Sequence, residues 1–242
     1  MSSTSDVPAV TLPFSVSMWM NIDTAGSNHV LFFIGNQSQV DEYFALRAAG
    51  NVAGDPIRVV DRNGSATSAD TTTGFTAGVW CHVACTFVGT AERHVWLDGG
   101  SKGTGTTSKS GHTASINIYG CGRWLDSSPA TVSDGQCADL AIWDSELSDA
   151  DVAALAAGLH PYAVQPESLV RFFPFHGTGD PEVCSVSGAT LTLTGSPPAT
   201  EHPYRVPQPW WSNWTAEAGA APGGFLPAFA HGSNAVQGGG AP

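Results

Sequence analysis

Between residues 78 and 100 apolar and polar positions alternate with a period of two. Val79, Cys81, Val83, Cys85 and Phe87 fall on one face and His82, Ala84 and Thr86 on the other. Gly89, Thr90, Ala91 and Glu92 then reverse the chain into a second strand from Arg93 to Leu97, and Asp98-Gly99 opens the next turn, which predicts a β-hairpin. The same alternation places Phe14, Val16, Met18 and Met20 on a buried face, with Ser15, Ser17, Trp19 and Asn21 opposite. Trp19 is then either packed under a helix or loop or open for stacking. Further strands are predicted over 28–35, 42–47, 57–62, 115–120 and 139–143. The polar run 63–73 reads as a loop, as does 102–113, with room there for one short strand. One short helix is predicted from Asp149 to about Ala157, capped by Ser148 and ended by Gly158.

The residues of these segments carry a resemblance. Trp80, His82-Val83-Ala84 and Thr86-Phe87, followed by Val95-Trp96-Leu97-Asp98-Gly99-Gly100, resemble the central signature of laminin G-like (LamG) domains of the concanavalin A-like lectin/glucanase superfamily. The stretch from Pro13 to Asn21 resembles an earlier strand of that family, and Asp134 to Trp143 with Leu147-Ser148 resembles its closing strand. The resemblance implies an all-β fold, a two-sheet antiparallel jelly-roll β-sandwich with one short helix. Residues 168–195 resemble the opening of such a module, which normally precedes the strand at Phe14. We therefore expect a permuted sandwich over 1–200, with 168–195 completing it within the chain. Pairing of that segment with a neighbouring subunit, or an independent two-strand flap, are the alternatives. The whole combination is similar to LamG modules of bacteriophage and environmental bacterial proteins.

Composition agrees with a turn-rich β protein: the 242 residues include 28 Gly and 16 Pro, with only 12% charged residues. A formal charge of −12 argues against a nucleic-acid backbone or an anionic membrane as partner. No signal peptide and no apolar run long enough to insert in a membrane is evident. The five cysteines Cys81, Cys85, Cys121, Cys137 and Cys184 lack C-x-x-C spacing. Cys81 and Cys85 on one strand face are about 13 Å apart, too far to bond. All five read as small buried apolar residues, consistent with assembly in a reducing host cytoplasm.

Candidate chemistry lies in three places. The loop 121–133 carries Arg123, Trp124 and Asp126, an indole with charged neighbours of the kind that holds a sugar, although a loop Trp is also used simply to cover the end of a sandwich. Residues 201–242 form a Pro/Gly-rich tail whose aromatics Trp210, Trp211, Trp214, Phe225 and Phe229 suit docking, on the sandwich itself or on a partner. The family resemblance implies a structural calcium, for which Asp134, Asp139 and Asp23 are candidates; turn-forming Asp is the alternative, favoured for Asp98. No paired-carboxylate strand, zinc motif or nucleophile elbow is present, which leaves a divergent glycosidase as a remote reading. The expected function is a non-enzymatic structural or binding module on a virion surface, docked on a capsid-like scaffold or self-associated. The alternative is a carbohydrate-binding, lectin-like adhesion protein whose partners are cell-surface glycans.

Overall fold

The computed structural model describes residues 1–8, 11–39, 41–109, 116–122, 133–175 and 180–192. The glycan candidates Arg123, Trp124 and Asp126 and the docking aromatics of 201–242 lie outside the described residues. The strands are β1 (Ser2–Ser3), β2 (Phe14–Ile22), β3 (Asn28–Gly35), β4 (Glu42–Ala49), β5 (Pro56–Asn63), β6 (Ser65–Gly74) and β7 (Cys81–Phe87). They continue with β8 (Arg93–Leu97), β9 (Gly100–Gly105), β10 (Ile118–Cys121) and β11 (Gly135–Trp143). After the helix α1 (Asp149–Ala156) come β12 (Leu169–Phe173), β13 (Glu182–Val183) and β14 (Thr190–Leu191).

Two six-stranded antiparallel sheets result, one ordered β1-β10-β3-β4-β5-β6 and the other β12-β11-β2-β7-β8-β9; β13 and β14 pair separately. This is the jelly-roll sandwich. Strand β12 joins the second sheet against β11, with Leu140 opposite Phe173. The core between the sheets takes alternate residues from each strand: Phe14, Val16, Met18 and Met20 from β2, and Cys81, Val83, Cys85 and Phe87 from β7. Phe14, Phe44 and Phe87 meet across it at centroid separations of 4.7–5.1 Å, and each contributes roughly 1.5–3 kcal/mol by leaving water. Val79, placed by alternation on this core face, precedes β7 and is exposed instead.

The run 63–73, expected to be a loop, is largely the strand β6. It lies at the edge of its sheet beside β5, so little of it needs to be apolar. Only Ala69 and Thr71 of this strand are buried, two residues apart, as a half-covered edge requires. The edges of the two sheets converge here: a Cβ built on Gly103 of β9 would fall 1.9 Å from the Asp70 carbonyl of β6, so only glycine fits. Inside this corner the Arg93 guanidinium of β8 lies 3.9 Å from the Asp61 carboxylate of β5, with both side chains buried. Burial pulls the Arg93 pKa down and Asp61 opposes it.

A second apolar cluster covers the outer face of the second sheet: Ala84, Trp96, Ala141 and Trp143 from the strands pack against Leu147, Val152, Leu155 and Val164. The helix forms where the sequence predicts. Ser148 accepts from the Asp151 amide while the Asp151 carboxylate accepts from the Ser148 amide, a reciprocal cap. Asp149 ties the helix start to the sheet by accepting from Trp96 Nε1 at 3.0 Å and Lys102 Nζ at 2.9 Å. The Lys102 hydrogen bond holds its carboxyl below the usual range. Gly99, at φ 71°, turns the hairpin directly beneath the helix, where a Cβ would stand 2.9 Å from that of Ala156.

Candidate functional site

Where α1 ends, the chain turns back over the sheet and leaves a small, partly open pocket. Its floor is Ser17 and Trp19 of β2, His82 of β7 and Asp139 of β11; Leu155, Leu159 and His160 belong to its wall. Pairing explains the floor. Trp19 lies opposite His82 on one side and Ala138 on the other, and the outward-facing positions of three adjacent strands converge. Asp139 arrives by a different route. Between Ala138 and Ala141 β11 spends one residue more than β2 does, and Asp139 takes the left-handed conformation at φ 52°. Asp139 shares the outward parity of Ala141 and Trp143, and the bulge sets Ala138, opposite Trp19, on the same face.

The Ser17 hydroxyl lies 2.8 Å from His82 Nε2, and the Trp19 indole meets the imidazole edge-on at 5.4 Å between centroids. His82 is buried and its Nδ1 has no hydrogen-bond partner. Burial pulls its pKa down to about 3, so the ring is neutral at physiological pH. The pair is therefore not an activated nucleophile: a hydrolytic serine needs a basic imidazole oriented through its other nitrogen, and this one is neither. The pocket instead offers an indole, a hydroxyl, a carboxylate and imidazoles around a small apolar wall. His160 is held in place by stacking on Tyr162 at 5.2 Å and by accepting the Tyr162 amide at Nδ1.

The low pKa of His82 has a consequence for stability. An unfolded chain binds a proton on this ring below about pH 6.5, whereas the folded chain does so only near pH 3. Stability is therefore full above pH 6.5 and is lost as pH falls through the interval between the two. At pH 4 the loss is about 3 kcal/mol relative to pH 7. Urea unfolding at both values, on the wild type and on His82→Gln, checks this: the variant is expected to show a pH difference smaller by about that amount.

The three acidic candidates fall in two places. Asp134 and Asp23 adjoin at the sheet rim, where the Asp23 amide points to the Asp134 carbonyl. The Asp134 carboxylate accepts from Thr24 Oγ1 at 2.5 Å and faces His29 Nδ1 at 2.9 Å. Asp139 belongs to the outer-face pocket, which neither of the other two lines. Among the described residues no group of three or more His, Cys, Asp or Glu is placed to hold a metal ion, and a calcium site needs six to eight oxygens. Asp98 serves its turn: at φ 51° its carboxylate accepts the His82 amide at 2.9 Å. No helix among the described residues is long and apolar enough to cross a membrane.

Comparison with known proteins gives the fold its place. It is similar to the heptameric SAP-like pentraxin from Limulus polyphemus, with 12% identity, 84% of this chain and 95% of that one covered, and a TM-score of 0.56. It is similar also to a putative carbohydrate binding protein from Bacteroides ovatus, with 16% identity, 80% and 57% covered, and a TM-score of 0.54. A third likeness is to domain 4 of AbnA, a GH43 extracellular arabinanase from Geobacillus stearothermophilus, determined in complex with arabinotriose. There the identity is 21%, the coverage 61% and 68%, and the TM-score 0.50. At these identities the likeness is one of fold. No curated protein matches in sequence. The laminin G family model, described as concanavalin A-like lectin/glucanases superfamily, matches residues 2–153, well over half of the chain. With the paired sheets and the closing strand in place, the chain belongs to the concanavalin A-like lectin/glucanases superfamily.

Proposed function

We propose that the protein is a non-catalytic, lectin-like module that binds carbohydrate, with the pocket beside Trp19 as the sugar site. The observation that carries this reading is the indole of Trp19, half-buried on an outer sheet face, with Ser17, Asp139 and His160 around it. A pyranose has apolar C–H faces that pack on an aromatic ring and hydroxyls that pair with such polar groups. Two of its fold neighbours support the reading by name, one as a putative carbohydrate binding protein and one as a domain determined with arabinotriose. They favour a carbohydrate-binding role over the virion-surface setting that the sequence suggests. Arg123, Trp124 and Asp126 remain a second candidate contact for the same ligand class.

Glycan-array binding of the full chain tests the proposal. Binding is expected, and Trp19→Ala should raise Kd about tenfold or more while Tm shows that the fold persists. Absence of binding to any glycan sinks the function. Loss of binding in Trp124→Ala with full affinity in Trp19→Ala moves the site to the 123–126 segment.

A further inference from the structure

Cys121 ends β10 in one sheet and Cys137 lies near the start of β11 in the other, yet their sulfurs are 3.8 Å apart across the sandwich. Each backbone is fixed by its own ladder, Cys121 opposite Phe32 and Cys137 opposite Met20. We propose that Cys121 and Cys137 are a disulfide-forming site that staples the two sheets together when the protein meets an oxidising thiol–disulfide milieu. A disulfide needs its sulfurs at about 2.05 Å, a closure within reach of side-chain rotation from van der Waals contact. Cys137 is partly exposed, which gives a small oxidant access to the pair. The hydrogen bond between the two thiols lowers the pKa of Cys121, favouring a thiolate within the pair.

The chemistry needs an external disulfide as oxidant, such as oxidised glutathione. One protein thiolate attacks a glutathione sulfur, the S–S bond breaks, and the first glutathione leaves as a thiolate that takes up a proton. The second protein sulfur, once deprotonated, attacks the mixed disulfide and expels the second glutathione. Two protein thiols are oxidised and one glutathione disulfide is reduced to two thiols. The other cysteines have no comparable partner: Cys81 and Cys85 share one strand face, and the Cys184 sulfur accepts the Phe172 amide at 3.3 Å.

Oxidised glutathione added to the full chain is expected to lower the intact mass by about 2 Da, with peptide mapping linking Cys121 to Cys137. Closing a ring of this length should raise Tm by about 6–12 °C, and dithiothreitol should reverse both changes. Cys137→Ser should show neither the 121–137 link nor the Tm gain. The proposal is overturned by thiols that stay open to alkylation in denaturant after oxidation, or by a mixed glutathione adduct that never resolves. A link through Cys81, Cys85 or Cys184, or a Tm gain that survives in Cys137→Ser, overturns it as well.

Discussion

Asp61→Ala is expected to destabilise the protein by about 3–5 kcal/mol, because it strands a guanidinium inside the sandwich. Arg93 is fully buried, and its Nη2 donates to the Thr107 carbonyl at 2.8 Å, while Nε and Nη1 have no hydrogen-bond partner. The Asp61 carboxylate is thus the charge that compensates for burial, at 3.9 Å across the gap between the sheets. Removing it leaves the desolvation cost in place and takes away what offset it. The reverse change, Arg93→Met, strands the buried Asp61 carboxylate in its turn and should cost a similar amount. Arg93→Met combined with Asp61→Leu should be milder than Asp61→Ala alone, as apolar replacements of buried pairs often are. Chemical denaturation of the three variants checks the order. Equal and small losses in all three would mean that water reaches the pair and that the ions are screened.

Trp143→Ala is expected to cost a similar amount, about 3–5 kcal/mol, for a different reason. Trp143 has no exposed surface and sits at the centre of the outer-face cluster, with its Nε1 donating to the Val164 carbonyl at 2.8 Å. It fastens the segment after α1 to the sheet, and that segment supplies the wall of the pocket. Truncation therefore opens a cavity and leaves a buried carbonyl unpaired. Trp143→Phe separates the two terms: most of the volume stays, and the loss should fall to about 1–3 kcal/mol. If the sugar-binding proposal holds, Trp143→Ala should also weaken glycan binding without touching ligand, through a displaced His160 and Leu159. Thermal melts and titration of the same samples measure both.

Alternation along the chain locates the strands that carry the core because their inward residues are large and apolar at every second position. Phe14 to Met20 and Cys81 to Phe87 are the clearest cases, and the Ser148 cap marks the helix from four residues. The strand Ser65–Gly74 escapes this test. An edge strand covered on one side needs only Ala69 and Thr71 inside, so its sequence looks like a polar loop; its run of threonines was the available sign. The pocket was half legible. Trp19 and Ser17 share an outward face, and the pairing of β2 with β7 puts His82 beside them, but no spacing rule announces the residue that β11 inserts beside Asp139. Asp139 has the outward parity of Ala141 and Trp143, and the bulge is where Ala138 comes to share that face. The cysteines teach the same lesson: Cys121 and Cys137 are sixteen positions apart on strands of different sheets, and only the stacking of the sheets makes them neighbours.

The closure at Gly103 has a meaning beyond packing. A sheet with a bare edge offers unpaired amides and carbonyls to any strand that drifts past, and a chain of −12 charge with only 12% charged residues has modest repulsion per unit surface to prevent it. Here the β6 and β9 edges are brought against one another. The β12 edge is bridged by the Ser185 amide to the Phe172 carbonyl, and the short β1 edge by Ser2 and Thr192 exchanging hydrogen bonds. Each exit from the two sheets is already engaged by the same chain. Engagement of this kind leaves less open backbone for a neighbouring copy to add a strand to, which works against fibril growth at high concentration.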